Sequence, residues 1–145
     1  MARAKREKSN CIYCGKELHK GQKKYCSNRC QQDYQQEQWE LRWRDGKEDG
    51  MCGEYGASAH IRTYLFKKYN NKCSECGWGE VNKYTGKIPL EVDHLDGNYR
   101  NNAESNLTLI CPNCHSLTAT YKGANKSGRK PREKYYKGYA KRADK

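Results

Sequence analysis

Asp93 and His94 stand side by side in E-V-D-H-L-D-G-N, Asn106 opens the run N-L-T-L-I, and His115 follows directly on Cys111-x2-Cys114. A carboxylate beside an imidazole can hold a divalent cation and take a proton from water at one place. Acid, base, amide and second imidazole within the 25 residues from Glu91 to His115 point to metal-dependent hydrolysis. The bland alternative is that Asp93 and His94 merely end a strand.

The elements that must position these groups are short. Ile88, Leu90 and Val92 alternate with Lys87, Pro89 and Glu91, which predicts a strand with one apolar face and Pro89 at its start or on an edge. The same alternation points Asp93 off the buried face, open to solvent and a metal, and His94 the other way. Both can then serve one site only if the chain leaves strand geometry at His94, where Asp96-Gly97-Asn98 supplies a loop signal. A second strand over Leu107–Ile110 follows a polar loop with Asn101 and Asn102. A helix H-S-L-T-A-T-Y-K, with His115 in its first turn, comes next.

Eight of the nine cysteines fall into pairs: Cys11/Cys14, Cys26/Cys30, Cys73/Cys76 and Cys111/Cys114. These are metal-knuckle spacings, and four such pairs in order are unusual in a secreted disulfide framework. Nearest-neighbour pairing gives two four-cysteine zinc sites, with cross-pairing as the alternative. Four thiolates leave no open coordination position, so both sites are structural. Gly15 supplies the positive φ a knuckle needs, His19 is a loop histidine between ligand pairs, and Cys52 is left over as a free thiol without a role. A helix continues from Cys30 through Q-Q-D-Y-Q-Q-E-Q-W-E-L-R-W-R, carrying Trp39 and Trp43 at packing distance along it, with Arg42 and Arg44 able to reach phosphate. A second helix starts at Ser58 as N-cap and stops at Asn70 and Asn71, with Ile61, Leu65 and Tyr69 as its buried stripe and His60 off it.

With 145 residues, 34% hydrophobic and 32% charged content and a single Phe, the chain cannot build a large apolar core, and metal staples are the expected substitute. No signal peptide and no membrane-length apolar run stand in the sequence, which argues for an intracellular, reducing, DNA-associated setting, with a phage-encoded protein in a bacterial host as one form of it. The net charge of +12 calls for a polyanion, and nucleic acid is the usual one. The charge is concentrated at the ends: ten Lys/Arg against two acids from Lys122 to Lys145, and four against one in the first eight residues. Arg100, Lys122, Lys126, Arg129, Lys130 and Arg132 are the candidate phosphate contacts, and Tyr135, Tyr136 and Tyr139 can stack on bases or pack on the body.

The stretch E-V-D-H-L-D-G-N … N-N-A-E-S-N-L-T-L-I-C-P-N-C-H resembles the HNH nucleases, the His-Me finger or ββα-metal group, and the flanking C-x2-C pairs resemble its zinc-stapled branch. The similarity covers about a third of the chain, residues 73–122. The segments I-R-T-Y-L-F-K-K-Y-N-N-K-C and T-Y-K-G-A-N-K resemble small phage-type HNH homing endonucleases in particular. The resemblance implies His94 as general base, Asp93 and His115 as ligands of one catalytic Mg2+, Mn2+ or Ni2+, and Asn106 as the middle Asn that orients the base. It implies hydrolysis of a DNA phosphodiester to a 5′ phosphate.

The fold expected is a small, zinc-stabilised α+β chain: a ββα-metal HNH nuclease domain preceded by a treble-clef-like zinc finger and connecting helices. Its parts are a basic arm (1–10), the four-cysteine finger and helix (11–44), a Gly-rich linker (45–57), the nuclease domain (58–122) and a basic tail (123–145). The partner is double-stranded DNA rather than a membrane, with monomer and homodimer both open. A zinc-finger DNA- or RNA-binding protein that keeps an inactive nuclease fold is the competing class. Within the enzyme class, homing, restriction and packaging nucleases are not separated.

Overall fold

A computed structural model describes residues 9–54 and 56–123. The basic arm up to residue 8, the tail cations Lys126, Arg129, Lys130 and Arg132, and the tail tyrosines lie outside the described residues. The chain divides into two compact units, Met1–Asp49 and Gly50–Lys145. This boundary falls inside the glycine-rich stretch, and the described residues from Gly50 onward belong to the second unit. Met51 bridges Ala57, and Ser58 donates its N–H to the Gly50 carbonyl at 2.8 Å.

In the first unit, Cys11 sits at a tight knuckle: the Gly15 N–H returns to the Cys11 carbonyl at 2.9 Å, with Gly15 at φ +72°. Helix α1, Asn28–Arg44, begins one residue after Ser27, whose hydroxyl accepts from the Cys30 N–H. Cys26 therefore precedes the helix and Cys30 lies in its first turn. No Gly or Pro interrupts α1, Arg29 pairs with Asp33 one turn on, and Arg42 and Arg44 suit the negative end of the helix dipole. Trp39 and Trp43 stack at 5.7 Å. Among the described residues of this unit, Cys11 and Trp43 are its buried hydrophobic side chains. That is too little apolar surface to hold a fold without a staple.

The second unit has the larger core. Helix α2, Ala59–Lys68, is capped by Ser58 and buries Ile61 and Leu65. Asn70 and Asn71 end it with φ of 50° and 58°, conformations that asparagine tolerates better than most side chains. Strands β1, Glu91–His94, and β2, Leu107–Ile110, pair antiparallel with Glu91 opposite Ile110 and His94 opposite Leu107. All four residues of β2 are buried; α2 packs against β2, and helix α3, Pro112–Ser116, packs against β1. Leu90, Leu107, Leu109 and Ile110 complete the core with Ile61 and Leu65.

Three expectations for this unit are corrected. β1 starts at Glu91, not near Ile88, because Pro89 has no N–H to give a ladder. The last helix starts inside the cysteine knuckle, with Pro112 in its first turn and Cys111 as N-cap, so His115 falls in its last turn rather than its first. Both faces of β2 are covered and Asp93 of β1 is buried, which is why the single-faced strand reading fails. No described helix is long and apolar enough to cross a membrane.

Candidate active site

Two sets of thiols converge, Cys11/Cys14/Cys26/Cys30 and Cys73/Cys76/Cys111/Cys114, each with its ligand atoms within 4.8 Å of one another. Among the described residues these are the groups of three or more His, Cys, Asp or Glu able to hold a metal ion. Nearest-neighbour pairing is thus the arrangement found. Both clusters could hold zinc: sulfurs about 2.3 Å from a tetrahedral zinc lie about 3.8 Å apart, and Cys76 and Cys111 sulfurs are 3.7 Å apart. In the first cluster, Cys26 lies 3.4 Å from both Cys14 and Cys30.

Backbone amides prepare the donors. The Cys14 N–H, above all, holds the Cys11 thiol down to about 6. At Cys73 burial pushes upward, but the N–H groups of Cys76 and Cys111 outweigh it and the thiol also lies at about 6. The Cys30 thiol, first among its neighbours, pushes Cys26 up to about 12, and Cys76 does the same to Cys114. His19 is exposed and outside the first cluster, and Cys52 is exposed and outside both.

The acid and the second imidazole meet. His115 Nε2 lies 3.5 Å from Asp93 Oδ1. Two donors each about 2.0–2.2 Å from one cation lie roughly 3.0–3.6 Å apart, so this pair fits a shared divalent ion. On its other side His115 Nδ1 bonds Glu91 Oε2, and its ring meets Tyr121 edge-on at 5.4 Å. A carboxylate on the distal nitrogen fixes the tautomer that leaves Nε2 free as a donor. Glu91 and Asp93 share one face of β1, and α3 lies over that face. Asp93 is accordingly 8% exposed, which corrects the expectation that it opens to solvent.

His94 does not leave the strand. It is the last residue of β1, paired with Leu107, and the loop begins at Leu95. Strand alternation therefore carries its side chain to the face opposite Asp93 and His115, where Nε2 lies 2.9 Å from Asn102 Oδ1. The reason is Asn106: its carbonyl accepts the Leu95 N–H at 2.9 Å and so extends the pairing past the ladder's end.

Asn106 is also the clasp of the loop. Its Oδ1 accepts from the Asp96 N–H at 3.1 Å, while its Nδ2 donates to Asp96 Oδ1 at 2.9 Å and to the Asn101 carbonyl at 2.8 Å. Asp96 in turn accepts from Asn101 Nδ2 at 2.7 Å and the Asn98 N–H at 2.8 Å. These donors, Asn101 foremost, then Asn98 and Asn106, hold the Asp96 carboxyl below its ordinary 3.8. Its stabilising effect is therefore present above pH 3.8 and lost as the pH falls through the lowered folded value. Replacing Asn106 by Ala orphans the Asp96 N–H and the Asn101 carbonyl and should cost about 1–3 kcal/mol. A urea midpoint unchanged in Asn106→Ala would show that the clasp carries no stability.

Sequence reasoning missed Glu91, Tyr121 and Asn102 as contributors. Glu91 stood in the E-V-D-H alternation two residues before Asp93, a same-face spacing that was the available signal. Arg100 is exposed and lies over its neighbour Tyr99 at 5.5 Å. Lys122 is exposed, with its ammonium 5.1 Å from the Tyr121 ring. Lys122 thus stands one residue from the tyrosine that abuts His115.

Comparison with known proteins follows the same residues. Residues 73–118 match the family model of the HNH endonucleases. The H-N-H endonuclease F-TflIV of Escherichia phage T5 is 50% identical over 56 residues, which are 38% of this chain and 23% of the phage protein. The chain thus matches less than a quarter of that relative's length. No solved structure matches the chain.

Proposed function

We propose that this HNH endonuclease domain hydrolyses phosphodiester bonds in double-stranded DNA, with His94 as general base and Asp93 and His115 as the holders of one divalent cation. The observation that carries the proposal is His115, whose Nε2 lies 3.5 Å from the buried Asp93 carboxylate while Glu91 secures its other nitrogen. A bound Mg2+, Mn2+ or Ni2+ would supply charge stabilisation at the phosphoryl and leaving oxygens. His94 takes a proton from water as the water oxygen bonds to phosphorus. The bond to the 3′ oxygen breaks with its electron pair, leaving a 5′ phosphate.

In-line displacement would place the attacking water beside His94 and the 3′ oxygen beside the cation held by Asp93 and His115. Asn106 and Asp96 keep the loop after His94 in one shape, and Glu91 and Tyr121 keep the His115 ring in place. The two four-cysteine clusters hold zinc in this account and take no part in the chemistry.

The test is supercoiled plasmid with Mg2+, Mn2+ or Ni2+: nicked circles whose ends are ligatable 5′ phosphates are expected. Plasmid bound but left supercoiled under all three cations would make the chain a zinc-finger binding protein instead. One site per chain suits nicking by a monomer; cutting both strands would take a dimer or two events. A homing role is favoured by the likeness to a phage H-N-H endonuclease, with restriction and packaging as the alternatives. Sequencing the products of a random DNA library would separate them by the length and strictness of the site.

Arg100, Lys122, Lys126, Arg129, Lys130 and Arg132 contact phosphates in this proposal. Deleting residues 124–145 should raise the Kd for DNA at least tenfold at about 0.1 M salt and flatten the plot of log Kd against log salt, while the rate at saturating DNA changes little. An unchanged Kd would remove the tail from the interface.

A further inference from the structure

We propose that the loop between the two cysteine pairs of the first unit is a second duplex-DNA contact, with Lys16, Lys20, Lys23 and Lys24 as its phosphate-binding groups. The first unit lies outside residues 73–118, which match the family model. The hydrolytic proposal gives it zinc but no contact with substrate. The choice of duplex DNA among polyanions rests on that proposal; the surface itself does not.

From Cys11 to Cys26 the sequence holds four lysines against one acid, Glu17. All four lysines are exposed. Elsewhere in the unit cations meet carboxylates: Arg29 with Asp33 at 3.2 Å, Arg42 with Glu48 at 2.9 Å and Lys47 with Asp45 at 3.2 Å. Among the described residues, none of the four loop ammonium groups has such a partner. A surface charged for solubility alone intersperses both signs. Here they are sorted, with ion-paired cations on α1 and just after it and uncompensated ones on the loop.

The backbone fixes where these lysines stand. The Cys11 N–H donates to the Lys16 carbonyl at 2.8 Å, and the Ile12 N–H donates to the Lys24 carbonyl at 3.0 Å. Lys16 and Lys24 are therefore tied to two consecutive residues of the knuckle. Lys20 and Lys23 sit on a turn in which the Gln22 N–H returns to the His19 carbonyl at 3.0 Å, with Gly21 at φ +99°. The Gln22 side chain closes that turn as well: Oε1 accepts the His19 N–H at 2.9 Å, and Nε2 donates to the Cys26 carbonyl at 2.8 Å. Cys11 and Cys26 belong to the four-cysteine cluster, so the cluster and these bonds hold one loop. A carboxylate-bearing protein partner is better met by the planar fork of Arg, and no Arg stands between Cys11 and Cys26. Lysine is a point charge on a flexible stem, which suits a duplex carrying one charge per about 1.7 Å of its axis. Such a grip adds affinity without reading bases.

The test uses the full zinc-loaded chain without added Mg2+, Mn2+ or Ni2+, and reads the anisotropy of a fluorescent duplex of mixed sequence across a salt titration. Changing Lys16, Lys20, Lys23 and Lys24 together to Gln should raise Kd about tenfold or more at about 0.1 M salt. The slope of log Kd against log salt should fall by about 3 to 4, from roughly 0.9 per lost phosphate contact. The same four changed to Arg should keep the wild-type Kd and slope. Arg29→Gln, which removes an ion-paired cation of the same unit, should leave both unchanged. Zinc content and the helical signal in circular dichroism report whether the Gln variant is folded. If it loses zinc, Lys20→Gln with Lys23→Gln decides instead, by a slope loss of about 2. A folded Gln variant with the wild-type Kd and slope overturns the proposal. So does weaker binding to structured RNA or to anionic vesicles with duplex binding intact. Binding is read here with no bond cut. A chain that binds in this way but never nicks plasmid therefore refutes the hydrolytic proposal and leaves the contact standing.

Discussion

Replacing His94 with Ala should lower the turnover number of plasmid nicking about 10²–10⁴-fold, the usual worth of general-base help. The loss should fall on kcat and on kcat/KM alike, because the proton moves only in the transition state and the ground-state complex gains nothing from it. DNA affinity and zinc content should stay as they are. His94 lies at the end of β1, where its backbone pairs with Leu107 whatever side chain it carries, so the ladder survives the change. His19→Ala, in an exposed loop of the first unit, is the matched control and should nick at the wild-type rate. If His94→Ala relaxes supercoiled DNA as fast as the wild type, another group takes the proton and the division of labour along β1 is wrong.

The geometry around β1 was only half legible in the sequence. Spacing alone located the cysteines of both clusters, because C-x2-C and C-x3-C are local: a knuckle is made by the backbone between its cysteines. The caps of α2 were legible for the same reason, since Ser58 and the Asn70/Asn71 pair act within one turn. The burial of Asp93 was not. A period-2 pattern says which residues share a face, but it does not say whether the polar face is covered, and here α3 covers it. The start of α3 was misplaced because the knuckle and its Pro112 decide where the helix begins, overriding the longer helical run read after His115.

Longer connections were invisible for a different reason. The bond from Glu91 to His115 spans 24 residues, and that from Met51 to Asn102 spans 51. Nothing local in either pair announces the other. Asn106 lies between these cases: its place before an apolar run marked it, but its three-way clasp on Asp96 and Asn101 needed the folded loop. The kink expected at His94 is absent because the Asn106 carbonyl accepts the Leu95 N–H and carries the strand pairing past His94.

Cys111→Ala should unfold the second unit, and with it remove all nicking, although Cys111 is proposed to touch neither substrate nor the catalytic cation. Its sulfur lies 3.7 Å from that of Cys76 and accepts the Cys114 N–H at 3.5 Å, while its own N–H goes to the Cys73 sulfur at 3.3 Å. It is also the N-cap of α3, the helix that carries His115, and the residue directly after β2. One residue therefore joins the second four-cysteine cluster, the sheet and the helix that carries His115. A ribbon of two four-residue strands is marginal by itself in water. Structural zinc in small fingers binds with about 10–16 kcal/mol, comparable to the whole stability of an ordinary domain at about 5–15 kcal/mol. Losing a ligand thus removes an amount the six-residue apolar core cannot replace. Zinc content should fall from two ions per chain to one, since the first cluster is built from other residues, and the α1 helical signal in circular dichroism should persist. Chelation of the wild-type chain should abolish the second unit's transition in the same way, and added zinc should restore it. Two zinc ions and an unshifted melting transition in Cys111→Ala would mean that the core alone holds the site together.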